Sequence, residues 1–136
     1  MTGPAVYASR MPRSFPVVYV RDVPRAVEFY EGLLDYSQSS AFPPEGEAVF
    51  VCLNRDGVEL GVVHESSPQQ LISQSIGDGP RFELFVYVDD VDQTVGKMQD
   101  AGVTVLRPPE NMPWGERLAF VEDPEGNPVT LAASAA

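Results

Sequence analysis

The chain has 136 residues, of which 43% are hydrophobic, and it carries a formal net charge of −11 at pH 7. This length and composition predict one globular domain with a real core, and no apolar run approaches the roughly 20 residues that a membrane span needs. The strong negative charge excludes nucleic acids and anionic membranes as expected partners, because like charges repel, and it would attract a cationic ligand.

The N-terminal residues 1–14, MTGPAVYASRMPRS, lack the apolar central block of a secretory signal. They therefore predict an N-terminal arm on a cytoplasmic protein. The single cysteine, Cys52, cannot form an internal disulfide, in keeping with a reducing compartment. Because Cys52 lies in a strand-like run, a buried structural thiol is a simpler interpretation than a nucleophile.

The stretch from Phe15 to Leu34 comes again, in part, 68 positions later, between Phe82 and Gln99. The identical pairs are Val18/Val86, Tyr19/Tyr87, Val20/Val88, Asp22/Asp90, Val23/Val91 and Val27/Val95. Each copy alternates with period two, and after the Asp its apolar residues take helical spacing. An acid at that point can cap the helix that follows and suits the positive end of its dipole. The repeat therefore indicates an internally duplicated fold.

The first half, residues 15–64, predicts the order strand, helix, strand, strand, strand. The predicted strands are 15–20, 36–42, 48–53 and 58–63. The helix follows Asp22, and its apolar stripe consists of Val23, Val27, Tyr30 and Leu34. Between the last two strands, Asp56-Gly57 is a strong signal for a hairpin turn.

Residues 65–81 are polar and contain Ser, Gln, Gly and Pro, which is typical of a linker between two halves. The second half, residues 82–136, repeats the plan of the first. Its predicted elements are strands 82–88, 103–106, 117–121 and 127–132, and a helix over 91–101 that stops at Gly102. A Pro-rich loop, RPPENMPWG, precedes the final hairpin. The sequence therefore predicts an α+β fold, in which two βαβββ half-modules pair into a curved, barrel-like sheet with a concave cleft.

The alternation within the first strand of each half predicts which side chains line that cleft. One face carries Phe15, Val17 and Tyr19 in the first half and Glu83, Phe85 and Tyr87 in the second. The intervening Val18, Val20, Val86 and Val88 would pack under the helices. Trp114, in the Pro-rich loop, is expected over the mouth of the cleft. Aromatic planes edged by carboxylates suit flat, partly cationic ligands, whereas the alternative is that these aromatics fill a collapsed core.

The repeat, its Val-Tyr-Val-x-Asp-Val starts, the Phe29-Tyr30 pair and the ending Asp123-Pro124-Glu125-Gly126-Asn127 resemble the glyoxalase/bleomycin-resistance/dioxygenase family, the vicinal oxygen chelate superfamily. The resemblance covers roughly residues 15–131. It implies no single activity, because this fold serves lyases, isomerases, dioxygenases, thiol transferases and metal-free drug-binding proteins. In the drug-binding members the cleft is completed across a subunit interface, which implies a homodimer, and the N-terminal arm is a candidate for exchange between subunits.

The resemblance also implies where a metal would bind, because the family's enzymes hold a divalent ion with His, Gln or Glu side chains from four strand positions. The matching positions in this chain are Phe15, Glu59, Glu83 and Thr130. Two carboxylates without an imidazole would hold a divalent metal such as Mg²⁺ or Mn²⁺ only weakly, so we predict that no metal cofactor is needed. His64, the only histidine, lies five residues after Glu59 and hence on the opposite face of that strand, so joint coordination would require a bulge.

Two functional hypotheses follow. The first is a metal-independent binding protein of the bleomycin-resistance type, which sequesters an aromatic ligand. A cationic ligand would suit the acidic chain best. The second is a lyase, isomerase or dioxygenase that uses an atypical metal site or Glu83 as a general base. An acid within an apolar strand run is costly unless it is paired, hydrated or used, and a salt bridge from Glu83 to Arg81 or Arg117 is the structural alternative.

Overall fold

The computed structural model of the chain describes residues 14–135. Its elements in chain order are β1 (Val17–Val20), α1 (Val23–Leu34), β2 (Ser37–Phe42), β3 (Phe50–Arg55), β4 (Val58–His64), α2 (Ser66–Ile72), β5 (Leu84–Tyr87), α3 (Val91–Asp100), β6 (Val105–Asn111), β7 (Glu116–Glu122) and β8 (Pro128–Ser134). The predicted N-terminal arm falls, except for its last residue, outside the described residues. Apart from α2, the same βαβββ order occurs twice, which confirms the predicted α+β fold.

The strands of the described region form two four-stranded sheets with the same internal order. The first sheet runs β1-β4-β3-β2 and the second runs β5-β8-β7-β6. In each sheet the first strand of the module pairs in parallel with the last one, while the other neighbours are antiparallel. The sheets are curved and open at their edges. This correspondence confirms the duplication that the repeat predicts.

Both main helices begin with the predicted aspartate cap. The carboxylate of Asp22 accepts a hydrogen bond from the backbone N–H of Arg25, and that of Asp90 accepts one from Gln93, both at 3.0 Å. These bonds satisfy amide groups that lack a partner within the first turn of a helix. Helix α3 is followed by Gly102 at φ +84°, a left-handed conformation that glycine adopts without the clash that a Cβ would cause.

The core contains apolar side chains from both modules. The predicted stripe of α1 is buried throughout, and Tyr30 and Leu34 are at most 1% exposed. Val18, Val20 and Val86 are also buried, while Phe85 and Tyr87, which alternate with Val86, are exposed. Each sheet therefore has one face covered by helices and a second face, here called the open face, which carries the alternate residues of its strands.

Residues 65–81, predicted as a linker, contain the short helix α2, which the sequence did not predict. Its sequence SSPQQLI has no helical apolar stripe, and Leu71 and Ile72 are largely exposed. The amphipathic pattern from which the other helices are predicted is therefore missing here. No helix in the described part of the chain is both long and apolar enough to cross a bilayer.

The Pro-rich stretch was predicted as a loop, but its first five residues continue strand β6 to Asn111. Pro108 and Pro109 are accommodated because β6 lies at the edge of its sheet, where one side of the strand needs no ladder hydrogen bonds. The pairing of β6 with β7 shifts register twice, between Val105 and Arg107 and between Arg107 and Glu110. Such irregularities are common at sheet edges.

Candidate functional site

The open face of the first sheet carries a hydrophobic platform packed over Gly61 of β4. A Cβ atom at Gly61 would lie 3.0 Å from Cγ2 of Val17, 3.2 Å from Cζ of Phe50 and 3.3 Å from Cε1 of Phe15. These distances are shorter than ordinary contacts of a Cβ atom, so the three side chains approach the backbone more closely than they would over an alanine, as is common at glycines within strands. Tyr19 lies further along the same face, opposite Val63 in the β1–β4 register. Phe15 and Tyr19, both predicted for the cleft, therefore share this face.

Cys52 and Glu59 lie side by side on the neighbouring strands β3 and β4. The thiol of Cys52 is directed at Oε2 of Glu59 over 3.6 Å, and Cys52 itself is fully buried. The prediction of a buried thiol is therefore confirmed. Glu59, the tentative family ligand, is half-buried beside this sulfur.

The open face of the second sheet carries aromatic side chains around a carboxylate. The rings of Phe85 and Tyr87 are 5.4 Å apart between centroids and inclined at 50°. The hydroxyl of Tyr87 donates to Oε2 of Glu116 at 2.6 Å, and the indole Nε1 of Trp114 donates to Oε1 of the same carboxylate at 3.0 Å. Phe85 is 48% exposed, Tyr87 57% and Trp114 64%. We call these four residues the aromatic–carboxylate cluster.

The strand register and one turn bring the cluster together. Tyr87 lies opposite Ala132 on β8. The small side chain of Ala132 leaves room for Tyr87 to reach across β8 to Glu116 on β7. The turn before β7 contains Gly115 at φ +96° and is closed by a 2.7 Å hydrogen bond from the backbone N–H of Met112 to the carbonyl of Glu116. This tight turn places Trp114 within hydrogen-bond distance of a carboxylate only two residues later.

Glu116 was not predicted from the sequence, because its partner Tyr87 is 29 residues away and the predicted strand 117–121 began one residue later. Its carboxylate is left with neutral donors only: among residues 14–135, no Lys, Arg or His forms an ion pair with it. The next residue, Arg117, binds Asp92 of α3 instead, at 2.6 Å. The hydrogen bond to Glu116 raises the pKa of Tyr87 above its ordinary value, with smaller effects from desolvation and from the charge of Glu116.

Glu83 and Thr130, both predicted for the site, are in direct contact. The hydroxyl of Thr130 donates to Oε2 of Glu83 at 2.8 Å. Glu83 is exposed and lies one residue before β5, which begins at Leu84. The expectation of an acid in the middle of a strand is therefore wrong, because the strand begins later than predicted. The alternative of a salt bridge to Arg81 or Arg117 is wrong, because Arg81 pairs with Glu125 and Arg117 pairs with Asp92.

The residues at the four family ligand positions do not fit the family's metal centre. Phe15 has no donor atom, and Thr130 directs its hydroxyl proton at Glu83. Within residues 14–135, no group of three or more His, Cys, Asp or Glu side chains is arranged to hold a metal ion. His64 lies five residues after Glu59 on β4, on the opposite strand face, and its Nδ1 lies 3.1 Å from the backbone nitrogen of Ser66.

Two grooves lie beside the helices at the junction of the modules. One, of about 380 Å³, runs between α1 and the segment Ala101–Thr104, and the other, of about 680 Å³, lies between α3 and Leu33–Asp35. Neither contains a residue that was predicted for the site. The predicted site residues therefore lie on the two open faces, and not in these grooves.

Relatives of the chain are proteins of the same size. An uncharacterized protein of Mycobacterium bovis is 28% identical over 122 residues, which cover 85% of this chain and 79% of the relative. An uncharacterized protein of Shewanella frigidimarina is 30% identical over 114 residues, 79% of this chain and 82% of the relative. The crystal structure of TioX from Micromonospora sp. ML1 is similar with a TM-score of 0.75 and 25% identity, and covers 90% of this chain and 99% of that one.

The family is shown by a match to a whole-domain model. Residues 14–131, nearly all of the described region, match the model of the Glyoxalase/Bleomycin resistance protein/Dioxygenase superfamily. The match begins just before β1 and ends within β8, so it includes both βαβββ modules. The chain therefore belongs to the Glyoxalase/Bleomycin resistance protein/Dioxygenase superfamily.

Proposed function

We propose that this protein is a metal-independent binding protein that sequesters an aromatic small molecule against the open faces of its sheets. The observation that carries the proposal is the aromatic–carboxylate cluster: on an open sheet face, two exposed aromatic side chains donate to one carboxylate and a third packs beside Tyr87. Exposed rings offer stacking surface, and the hydrogen bonds of Tyr87 and Trp114 to Glu116 hold two of them in place before a ligand arrives. Such preorganisation lowers the cost of binding.

A binding role agrees better with the donor atoms than a metal-dependent reaction does. The family positions supply Phe15 and Thr130 where a metal would need ligands, so no step of a metal-assisted reaction is assigned. Glu83 keeps a second candidate open, an isomerase or lyase in which this exposed carboxylate, fixed by the hydroxyl of Thr130, acts as a general base. That candidate requires turnover, which the binding proposal excludes.

The proposal includes a homodimer. Apolar side chains remain exposed on both open faces, among them Val17 on the first sheet and Phe85 on the second. Burial of such surface is favourable, and a second copy facing these sheets would turn two open faces into one cleft. Light scattering that gives the mass of one chain would overturn the dimer.

Stated more specifically, the proposal is a cytoplasmic, antibiotic-resistance-like protein whose ligand is an aromatic antibiotic.

Binding is tested by isothermal titration with a panel of planar aromatic compounds. For a compound that binds, we expect Phe85→Ala to weaken affinity by roughly five- to tenfold, the worth of one aromatic stacking contact. Leu71→Ala is the matched control, because Leu71 is an exposed apolar residue on α2 and belongs to neither sheet. Equal losses in both variants would contradict the site, and conversion of the bound compound into a product would favour the enzyme.

A further inference from the structure

We infer that Glu116 is the counter-ion for a positive charge on the ligand, so that the aromatic–carboxylate cluster selects cationic aromatic compounds over neutral or anionic compounds of the same shape. This inference rests on the proposed function, because it assigns the charge of a ligand that binds at the same face. The ligand class is a planar aromatic with a quaternary or protonated nitrogen.

The contacts of Glu116 fix its position without neutralising its charge. One carboxylate oxygen accepts from the hydroxyl of Tyr87 and the other from the indole N–H of Trp114. A carboxylate offers about four acceptor directions, so neutral donors occupy only part of its capacity. Both donors are uncharged, and a full negative charge therefore remains at a fixed point on the face.

The arginines nearest to Glu116 in sequence are committed elsewhere. Arg117 forms two hydrogen bonds to Asp92 and one to Asn111. Arg107 pairs with Glu110, three residues along the same strand. Neither arginine compensates Glu116, so the charge of the cluster is available to a partner from outside the described chain.

The aromatic rings of the cluster favour the same sign of charge. The face of a phenyl, phenol or indole ring is electron-rich and attracts a cation within about 6 Å of its centre. Tyr87 and Trp114 contact the carboxylate through their polar edges, Phe85 lies 5.4 Å from Tyr87, and all three side chains are about half exposed or more. A cation bound against these exposed rings would lie close to a carboxylate as well, whereas an anion would be repelled by both.

The experiment compares three probes of nearly one shape, N-methylacridinium, acridine and acridine-9-carboxylate, by isothermal titration of the full chain at pH 7.5. We expect the wild-type protein to bind N-methylacridinium at least tenfold more tightly than acridine, and the carboxylate least tightly. Glu116→Gln should abolish this preference, because the affinity for N-methylacridinium should fall to about that for acridine in the same variant. Added salt should weaken only the binding of the cation to the wild-type protein.

Two further variants separate a counter-ion from a net-charge effect and from a purely structural role of Glu116. Glu28→Gln removes the same charge from an exposed position on α1 and should keep the preference; if it loses the preference as Glu116→Gln does, the effect comes from the net charge and the inference fails. Glu116→Asp keeps the negative charge at this position, so a preference for the cation should survive at least in part. Complete loss of the preference in Glu116→Asp would assign Glu116 a merely structural role and overturn the inference.

The outcomes also separate this inference from the proposed function. If the wild-type protein binds acridine and N-methylacridinium equally, the counter-ion is wrong and aromatic binding stands. If it binds none of the three probes up to millimolar concentration, both proposals are overturned for planar aromatics. Thermal melts of each variant confirm that the comparison is made on folded protein.

Discussion

The two modules share one element order and use the hairpin between their last two strands in different ways. In the first module the turn Asn54–Gly57 makes exposed contacts: the backbone N–H of Gly57 donates to the side chain of Asn54 at 3.1 Å, and the guanidinium of Arg55 donates to the carbonyl of Tyr87 in the second module at 3.0 Å. In the second module Asp123 is buried, and its carboxylate accepts from the hydroxyl of Tyr30 in α1 at 2.8 Å. Both turns thus reach the other module, the first through an exposed hydrogen bond and the second through a buried one.

The open faces also differ. The first carries Phe15 and Phe50 packed on Gly61, with Glu59 beside the thiol of Cys52, and the second carries the aromatic–carboxylate cluster and the Glu83–Thr130 pair. The helix-covered faces remain alike, because both must fill one shared core. A duplicated fold therefore keeps its packing in both copies, while the side chains on its open faces diverge.

The largest difference between the modules is expected at the two hairpin turns. Asp123→Ala should reduce the free energy of unfolding by about 3–5 kcal/mol, because it leaves the buried hydroxyl of Tyr30 and the amide of Asn127 without their acceptor. Asn54→Ala, the matched change in the first turn, should cost about 1 kcal/mol or less, because water can replace its exposed hydrogen bond. Urea unfolding of both variants measures the difference, and equal losses would refute the contrast.

A smaller loss of stability is expected when Tyr30, the donor of the buried hydrogen bond to Asp123, is changed. Tyr30→Phe should reduce the free energy of unfolding by about 1–2 kcal/mol at neutral pH, because it removes one buried hydrogen bond but leaves Asp123 with three donors. The ring remains packed against Phe29 and Tyr36. A loss as large as that of Asp123→Ala would show that the hydroxyl, and not the carboxylate, organises the contact.

The hydroxyl of Tyr30 also predicts that the protein loses stability at alkaline pH. Burial, followed by the charge and hydrogen bond of Asp123, raises the pKa of Tyr30 well above its usual value of 10.0. The folded protein therefore retains a proton that the unfolded chain releases near pH 10, so this stabilisation is complete below that pH and is lost as pH rises toward the folded-state pKa. Urea unfolding between about pH 9 and 11.5 should show a smaller decline for Tyr30→Phe than for the wild-type protein; parallel declines would contradict the assignment.

The smallest effect is expected on the first open face. Gly61→Ala places a methyl group 3.0–3.3 Å from three side chains, all of which are partly exposed and able to shift. The free energy of unfolding should therefore fall by less than about 1 kcal/mol. Because the proposed homodimer joins both open faces into one cleft, the affinity for an aromatic ligand should fall in parallel. Unchanged affinity would show instead that the second face alone holds the ligand.

Local patterns in the sequence determined most of the fold. Period-two alternation separates Val18 and Val86 from their exposed neighbours, and the aspartate caps and the Asp56-Gly57 turn lie where the sequence predicts them. These features depend on residues close together in the chain, so the sequence alone carries them. For the same reason the alternation by itself predicts that a single type of sheet face, the open face, carries Phe15, Tyr19, Phe85 and Tyr87.

Only the tertiary structure decided which polar groups meet. Glu116 meets Tyr87 across strand β8, Asp123 meets Tyr30 from 93 residues away, and Glu83 meets Thr130 instead of an arginine. The strand character of Pro108 and Pro109 likewise depends on the edge position of β6, which is a property of the assembled sheet. Strand order and register set these contacts, and no local pattern of charge or hydrophobicity encodes them, because the partners are remote in sequence and close only in space.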